Sequence, residues 1–96
     1  MTRDEALEAL KPLEPELRRL GFGKLYLFGS VARGEAETND VDLLYEEGAR
    51  APGFSQLTDA LARLEEVLGR RVDLIERHGL HRRIRPRVEA ELVEIY

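Results

Sequence analysis

The chain contains no cysteine. That excludes disulfides, a thiolate metal centre and a cysteine nucleophile, and it fits a reducing compartment. Nor does any apolar run approach the ~20 residues that a membrane-spanning helix needs. The opening stretch MTRDEALEAL is acidic and helical in pattern rather than a secretory signal. The cytoplasm is therefore the expected location. Lysine is scarce: thirteen of the 15 basic residues are arginine. Aromatic residues make up only 6% of the chain, and the net charge is −4, so neither stacking platforms nor an overall basic surface points to nucleic acid. There is no internal repeat and no low-complexity linker. What remains is 96 residues, 43% hydrophobic and 35% charged, which is enough for one soluble domain with its own core and too little for two.

Local patterns divide the chain. Thr2-Arg3-Asp4-Glu5 has the form of a capping box, with Thr2 as N-cap. Ala6, Leu7, Leu10, Leu13, Leu17 and Leu20 then recur at helical spacing up to Gly21. Pro12 and Pro15 are expected to kink or break this helix, because each lacks a backbone donor and clashes one turn back. Lys24–Phe28 reads as a first strand, apolar on both faces as a central strand should be. A short helical turn and a polar loop fill 30–39, and Val41–Tyr45 reads as a second strand. After a loop around Pro52, Leu57, Ala60, Leu61, Leu64, Val67 and Leu68 mark an amphipathic helix that stops at Gly69. Arg71–Ile75 is a third strand, and Leu92–Tyr96 follows a short helix as an edge strand. This order predicts an α+β domain, a mixed sheet of about four strands with helices packed on it. Tyr26, Phe28, Tyr45 and Phe54 sit in apolar patterns and are expected in the core.

The informative stretch is LFGSVARGEAETNDVDLL, from Leu27 to Leu44. Strand side chains alternate, so Asp40 and Asp42 share a face while Val41 and Leu43 take the other. Asp73 is a lone carboxylate between Val72 and Leu74. If the two strands are neighbours, three carboxylates converge. At an effective dielectric near 20, two charges ~5 Å apart repel by roughly 3 kcal/mol, so three pairs cost on the order of 10 kcal/mol. Mg²⁺ would offset this, since it takes oxygen ligands from a few carboxylates and substrate phosphates. Two such ions ~3.5–4 Å apart would stabilise the attacking and leaving oxygens of a phosphoryl or nucleotidyl transfer. The plainer alternative has Asp40 capping a turn, Asp42 on an exposed edge and Asp73 paired with Arg70 or Arg71. Gly29-Ser30 follows the first strand directly. Glycine allows a sharp bend or close approach to a ligand, and the following N–H groups, the Ser30 hydroxyl and a helix start suit a phosphate. An ordinary serine N-cap is the competing reading. GSVARGE lacks the Gly-Lys-Ser/Thr of a P-loop, and DVDLL lacks the further acceptor and glycine of an EF-hand.

Phe28-Gly29-Ser30, nine residues, Asp40-Val41-Asp42-Leu43 and a later Asp73 together resemble the signature of the DNA polymerase β-like nucleotidyltransferase superfamily. GSVARGEAETNDVDLL looks like its smallest branch, the minimal nucleotidyltransferase (MNT) domains, which often read GSxARGExxxxSDxDLL; Asn39 stands where that branch usually has serine. The likeness extends along nearly the whole chain, 1–96, including the tail from Val72 to Tyr96. It implies that Gly29 and Ser30 hold the β- and γ-phosphates of a nucleoside triphosphate. Asp40 and Asp42 would ligate the metal ions, while Asp73 would complete the catalytic metal site and help activate the acceptor hydroxyl. Arg33 falls on the family's arginine; it either contacts the triphosphate or is a solvated surface charge. Larger members carry a helical acceptor-binding domain, for which about twenty residues after Asp73 leave no room.

The branch is typically partnered with a helical HEPN-domain RNase toxin, and transfers AMP from ATP to a toxin tyrosine. The resemblance therefore implies a Mg²⁺-dependent adenylyltransferase and antitoxin. A binding module that neutralises its partner by covering it is the alternative, and the intact carboxylate triad favours the enzyme. A basic RNA-binding patch is the third reading; from Arg70 to Arg87 there are seven arginines against Asp73 and Glu76. His78–Arg87 could face a partner or be a solvated surface, and His78 and His81 have no metal-ligand companions.

Overall fold

A computed structural model of the chain describes residues 1–35 and 40–96. The Thr2 hydroxyl accepts the Glu5 N–H at 3.1 Å and the Glu5 carboxylate accepts the Thr2 N–H at 2.8 Å, closing the capping box that starts α1 (Arg3–Leu10). A 3₁₀ turn at Lys11–Leu13 separates α1 from α2 (Glu14–Leu20). Pro12 and Pro15 each fall at the start of a new segment, where the missing N–H has no intrahelical acceptor to lose. The prolines thus divide the predicted helix in two. Gly21, at φ +109°, ends α2.

Four strands form one sheet in the order β3-β2-β1-β4: β1 (Phe22–Phe28), β2 (Asp40–Glu47), β3 (Arg71–Glu76) and β4 (Val93–Glu94). β1 is antiparallel to both its neighbours, β2 and β4. β2 and β3 are parallel, and α4 (Phe54–Leu68) makes the crossover that parallel pairing requires. The sheet is mixed and the class is α+β, as the sequence predicts. The first two strands run two to three residues beyond their predicted ends, while β4 is shorter.

Alternation gives the sheet two different faces. Leu25, Leu27, Val41, Leu43 and Val72 point to one side and join Leu10, Leu17, Ala60 and Leu64 from α1, α2 and α4 in the main core. Burying each such leucine contributes about 1.5–3 kcal/mol. On the other side Phe28 and Leu44 pack with Leu80 and with Val88 of α5 (Arg85–Ala90). The chain's last residue is tied in as well: the Tyr96 hydroxyl donates to the Phe22 carbonyl at 2.8 Å. Phe54 departs from expectation, being 83% exposed. It is the first residue of α4, a turn ahead of Leu57, and no described residue closes over that turn. Tyr26 is only half-buried, with its hydroxyl donating to Glu46 at 3.0 Å. Among the described residues no helix is long and apolar enough to cross a membrane.

Candidate active site

β1 ends where β2 and β3 begin. Phe28, its last residue, lies opposite Asp42, and Asp42 is in register with Asp73 on the parallel neighbour. In-register residues of adjacent strands share a face, so the Asp42 and Asp73 side chains meet. Asp40, two residues earlier and exposed, belongs to the same face. Adjacency of the strands, conditional in the sequence, is now a fact. Asp42 is half-buried in the middle of the sheet, not on an edge, and stands beside Asp73 of the neighbouring strand. Burial first, then the charge and hydrogen bond of Asp73 and the charge of Asp40, push the Asp42 carboxyl up to about 6, while Arg33 pulls in the opposite direction. Among the described residues no three acidic or imidazole side chains stand at metal-ligand spacing. The close pair is Asp42 and Asp73, with Asp40 further out.

Gly29 begins α3 (Gly29–Ala32) at φ +75° and is buried. Both properties have the same origin. A Cβ built on Gly29 would lie 2.2 Å from Asp42 Oδ2, so the turn runs against the carboxylate with no room for a side chain. Ser30 follows, half-buried, and its carbonyl accepts the Glu35 N–H at 3.0 Å. Its hydroxyl makes no hydrogen bond to another described residue, so it is not acting as a helix cap. Arg33 lies at the end of α3 and is held between two carboxylates. Its Nε and Nη2 donate to Glu35, at 3.3 Å and 3.0 Å to Oε1, while Nη1 donates to Glu91 at 3.0 Å and 3.2 Å. Glu91 also accepts the Gly29 N–H at 3.1 Å. Both carboxylates hold the Arg33 guanidinium above its usual range, Glu35 most strongly.

The structure therefore gathers Gly29, Arg33, Asp42 and Asp73 at one end of the sheet, with Asp40 and Ser30 flanking them. The model of the nucleotidyltransferase domain family matches residues 10–95. The chain belongs to that family.

Its relatives agree. The protein adenylyltransferase MntA of Thermococcus cleftensis is 36% identical over 99 residues, covering 99% of this chain and 97% of the relative. A solved minimal nucleotidyltransferase superposes with a TM-score of 0.80 at 31% identity, covering 97% of this chain and 95% of that one. The fold is shared further: a chain from the complex of a tri-AMPylated Shewanella oneidensis HEPN toxin with its MNT antitoxin gives a TM-score of 0.64 at 17% identity, over 94% of this chain and 71% of that one.

Asn39, which the sequence comparison singled out, lies outside the described residues. One feature of this nucleotidyltransferase domain escaped the sequence reading. Glu91 was not singled out at all: it meets Gly29 across 62 positions, and no local pattern connects an acidic residue after α5 to a turn after β1. The His78–Arg87 segment divides in role. Leu80 and Val88 anchor it and its continuation under the sheet, while Arg82, Arg83 and Arg87 are exposed.

Proposed function

We propose that this nucleotidyltransferase transfers AMP from ATP to a hydroxyl, a tyrosine in the first instance, of a partner HEPN-type toxin, and so acts as the antitoxin of the pair. The observation that carries the reading is the placement of Asp42 and Asp73 in register beside Gly29. Kinship with a protein adenylyltransferase supports the choice of reaction, and the fold shared with MNT antitoxins supports the choice of partner. The donor set fits a hard divalent cation, being carboxylate oxygens on adjacent strands whose mutual repulsion a cation would offset. Asp40, Asp42 and Asp73 would hold Mg²⁺, whose chemistry when bound is to neutralise phosphate charge and lower the pKa of a nearby hydroxyl.

The remaining work falls to the chain itself. The Gly29 N–H, the Ser30 hydroxyl and the Arg33 guanidinium receive the β- and γ-phosphates and keep the α-phosphate facing the carboxylates. Asp73, exposed on the edge strand, is open to an incoming acceptor and takes its hydroxyl proton. The acceptor oxygen forms a bond to the α-phosphorus, the α–β phosphoanhydride bond breaks, and pyrophosphate leaves. An ATP-dependent reaction of this kind suits the cytoplasm.

The test is to incubate the chain with the protein encoded by the adjacent gene, Mg²⁺ and ATP, then weigh the intact partner. AMP addition by the wild type and a loss of at least about a hundredfold in Asp42→Asn is expected. No added mass, with a stable complex that still silences the partner, would overturn transfer in favour of neutralisation by binding alone.

A further inference from the structure

Glu91 occupies donors that the proposed reaction needs. The Gly29 N–H and Arg33 Nη1 both give their hydrogen bonds to its carboxylate, at 3.1 Å and 3.0 Å. The rest of the guanidinium is committed to Glu35. The Glu91 side chain is only 17% exposed, whereas the Arg33 side chain is 45% exposed, so Glu91 sits beneath the arginine, away from bulk water. It reaches this place through the fold: α5 packs under the sheet by Val88, and the chain then passes Glu91 on its way into β4, which pairs with β1.

We propose that Glu91 is a built-in phosphate surrogate that the triphosphate displaces on binding. The inference rests on the proposed function, in which Gly29 and Arg33 receive the nucleotide's phosphates. A backbone N–H plus a guanidinium edge is the donor set a phosphoryl oxygen uses, and a carboxylate is the side chain that imitates it. A single N–H serves one strong acceptor at a time, so Glu91 and a phosphate cannot both hold Gly29. Like charge reinforces the exclusion, since a carboxylate against a triphosphate in a half-buried site repels it. In the free protein Glu91 has a second effect: it keeps the Arg33 cation next to the half-buried Asp42 carboxylate while holding the turn in its binding shape. Glu91 thereby trades affinity for order. Nucleotide is bound more weakly than by an open site of the same shape, and Arg33 is released only when an anion arrives to replace Glu91.

The experiment is an ATP–Mg²⁺ titration of the full chain by calorimetry, comparing wild type with Glu91→Gln, Glu91→Asp and Arg33→Ala. The amide of Glu91→Gln keeps the shape and loses the charge, so it should bind ATP about tenfold more tightly. Glu91→Asp, one methylene short of its donors, should also tighten binding, and stands in if the amide variant folds poorly. Arg33→Ala should weaken binding about tenfold or more. The Gly29 amide resonance of the wild type should move on ATP addition and should already be moved in free Glu91→Gln. Wild-type binding that weakens in Arg33→Ala but is equal or weaker in both Glu91 variants overturns the exchange alone, and makes Glu91 a permanent support of the arginine. A wild type that binds no ATP, with Arg33→Ala no different, overturns the nucleotide reading itself and the exchange with it.

Discussion

Asp42 and Leu43 are consecutive residues with opposite fates. Leu43 points to the helix side of the sheet, has no exposed surface and lies among Leu25, Leu27, Val41 and Val72. Asp42 points to the other side, half-buried against Gly29 and Asp73. The helix face is a uniform apolar surface that three helices cover. The opposite face is divided: α5 and the residues before it cover Phe28 and Leu44, and the acidic end is left with a glycine turn and charged side chains. One face therefore stabilises the fold, and the other spends part of that stability on a cluster of carboxylates. Real proteins break local rules at functional sites and offset the cost elsewhere.

Three substitutions would sharpen or break this contrast. Leu43→Ala should have the largest effect on stability, a loss of about 3 kcal/mol in denaturant unfolding, because it leaves a cavity in close packing. A loss under about 1 kcal/mol would mean the helix face is loosely packed. Gly29→Ala comes next. The left-handed backbone and the 2.2 Å approach to Asp42 together should cost about 2 kcal/mol, and the same denaturation series measures it. ATP binding should fall with it, whereas Leu43→Ala should leave ATP binding per folded molecule unchanged.

Asp42→Asn has the smallest effect and the opposite sign. The folded Asp42 carboxyl titrates near 6 against 3.8 in the free residue, so the folded chain holds the proton more tightly than the unfolded one. Wild-type stability therefore declines as pH rises from about 4 to about 6, and the penalty is absent below that window. In chelator at pH 7.5 the asparagine variant should be more stable by on the order of 1 kcal/mol, a figure already reduced for solvent screening, or a melting point higher by a few degrees. At pH 4 the advantage should shrink towards zero. A variant less stable than wild type in chelator at pH 7.5 would show that the carboxylate supports the fold.

Much of this was readable along the chain. The capping box, the two prolines, Gly21 and Gly69 are local signals with local consequences, so the helices fell close to where their periodicity put them. The strands were recognised as short apolar runs, but their ends were underestimated: Phe22, Glu46 and Glu47 lie in strands because a partner strand is there to bond with. Phe54 failed for the converse reason. An apolar pattern put it in the core but could not say that no described residue would lie over it.

The same division holds at the site. Sequence alone picked out the candidate site residues, because Gly-Ser after a strand and Asp-x-Asp within one are short-range patterns that face alternation makes meaningful. It also determined that Asp40 and Asp42 share a face. Only the tertiary structure decided that β3 lies beside β2 in the register that sets Asp73 against Asp42, and that Glu91 reaches Gly29 and Arg33. Register between strands joined by a helix, and contacts across sixty positions, are set by packing over the whole sheet, which no local stretch of sequence contains.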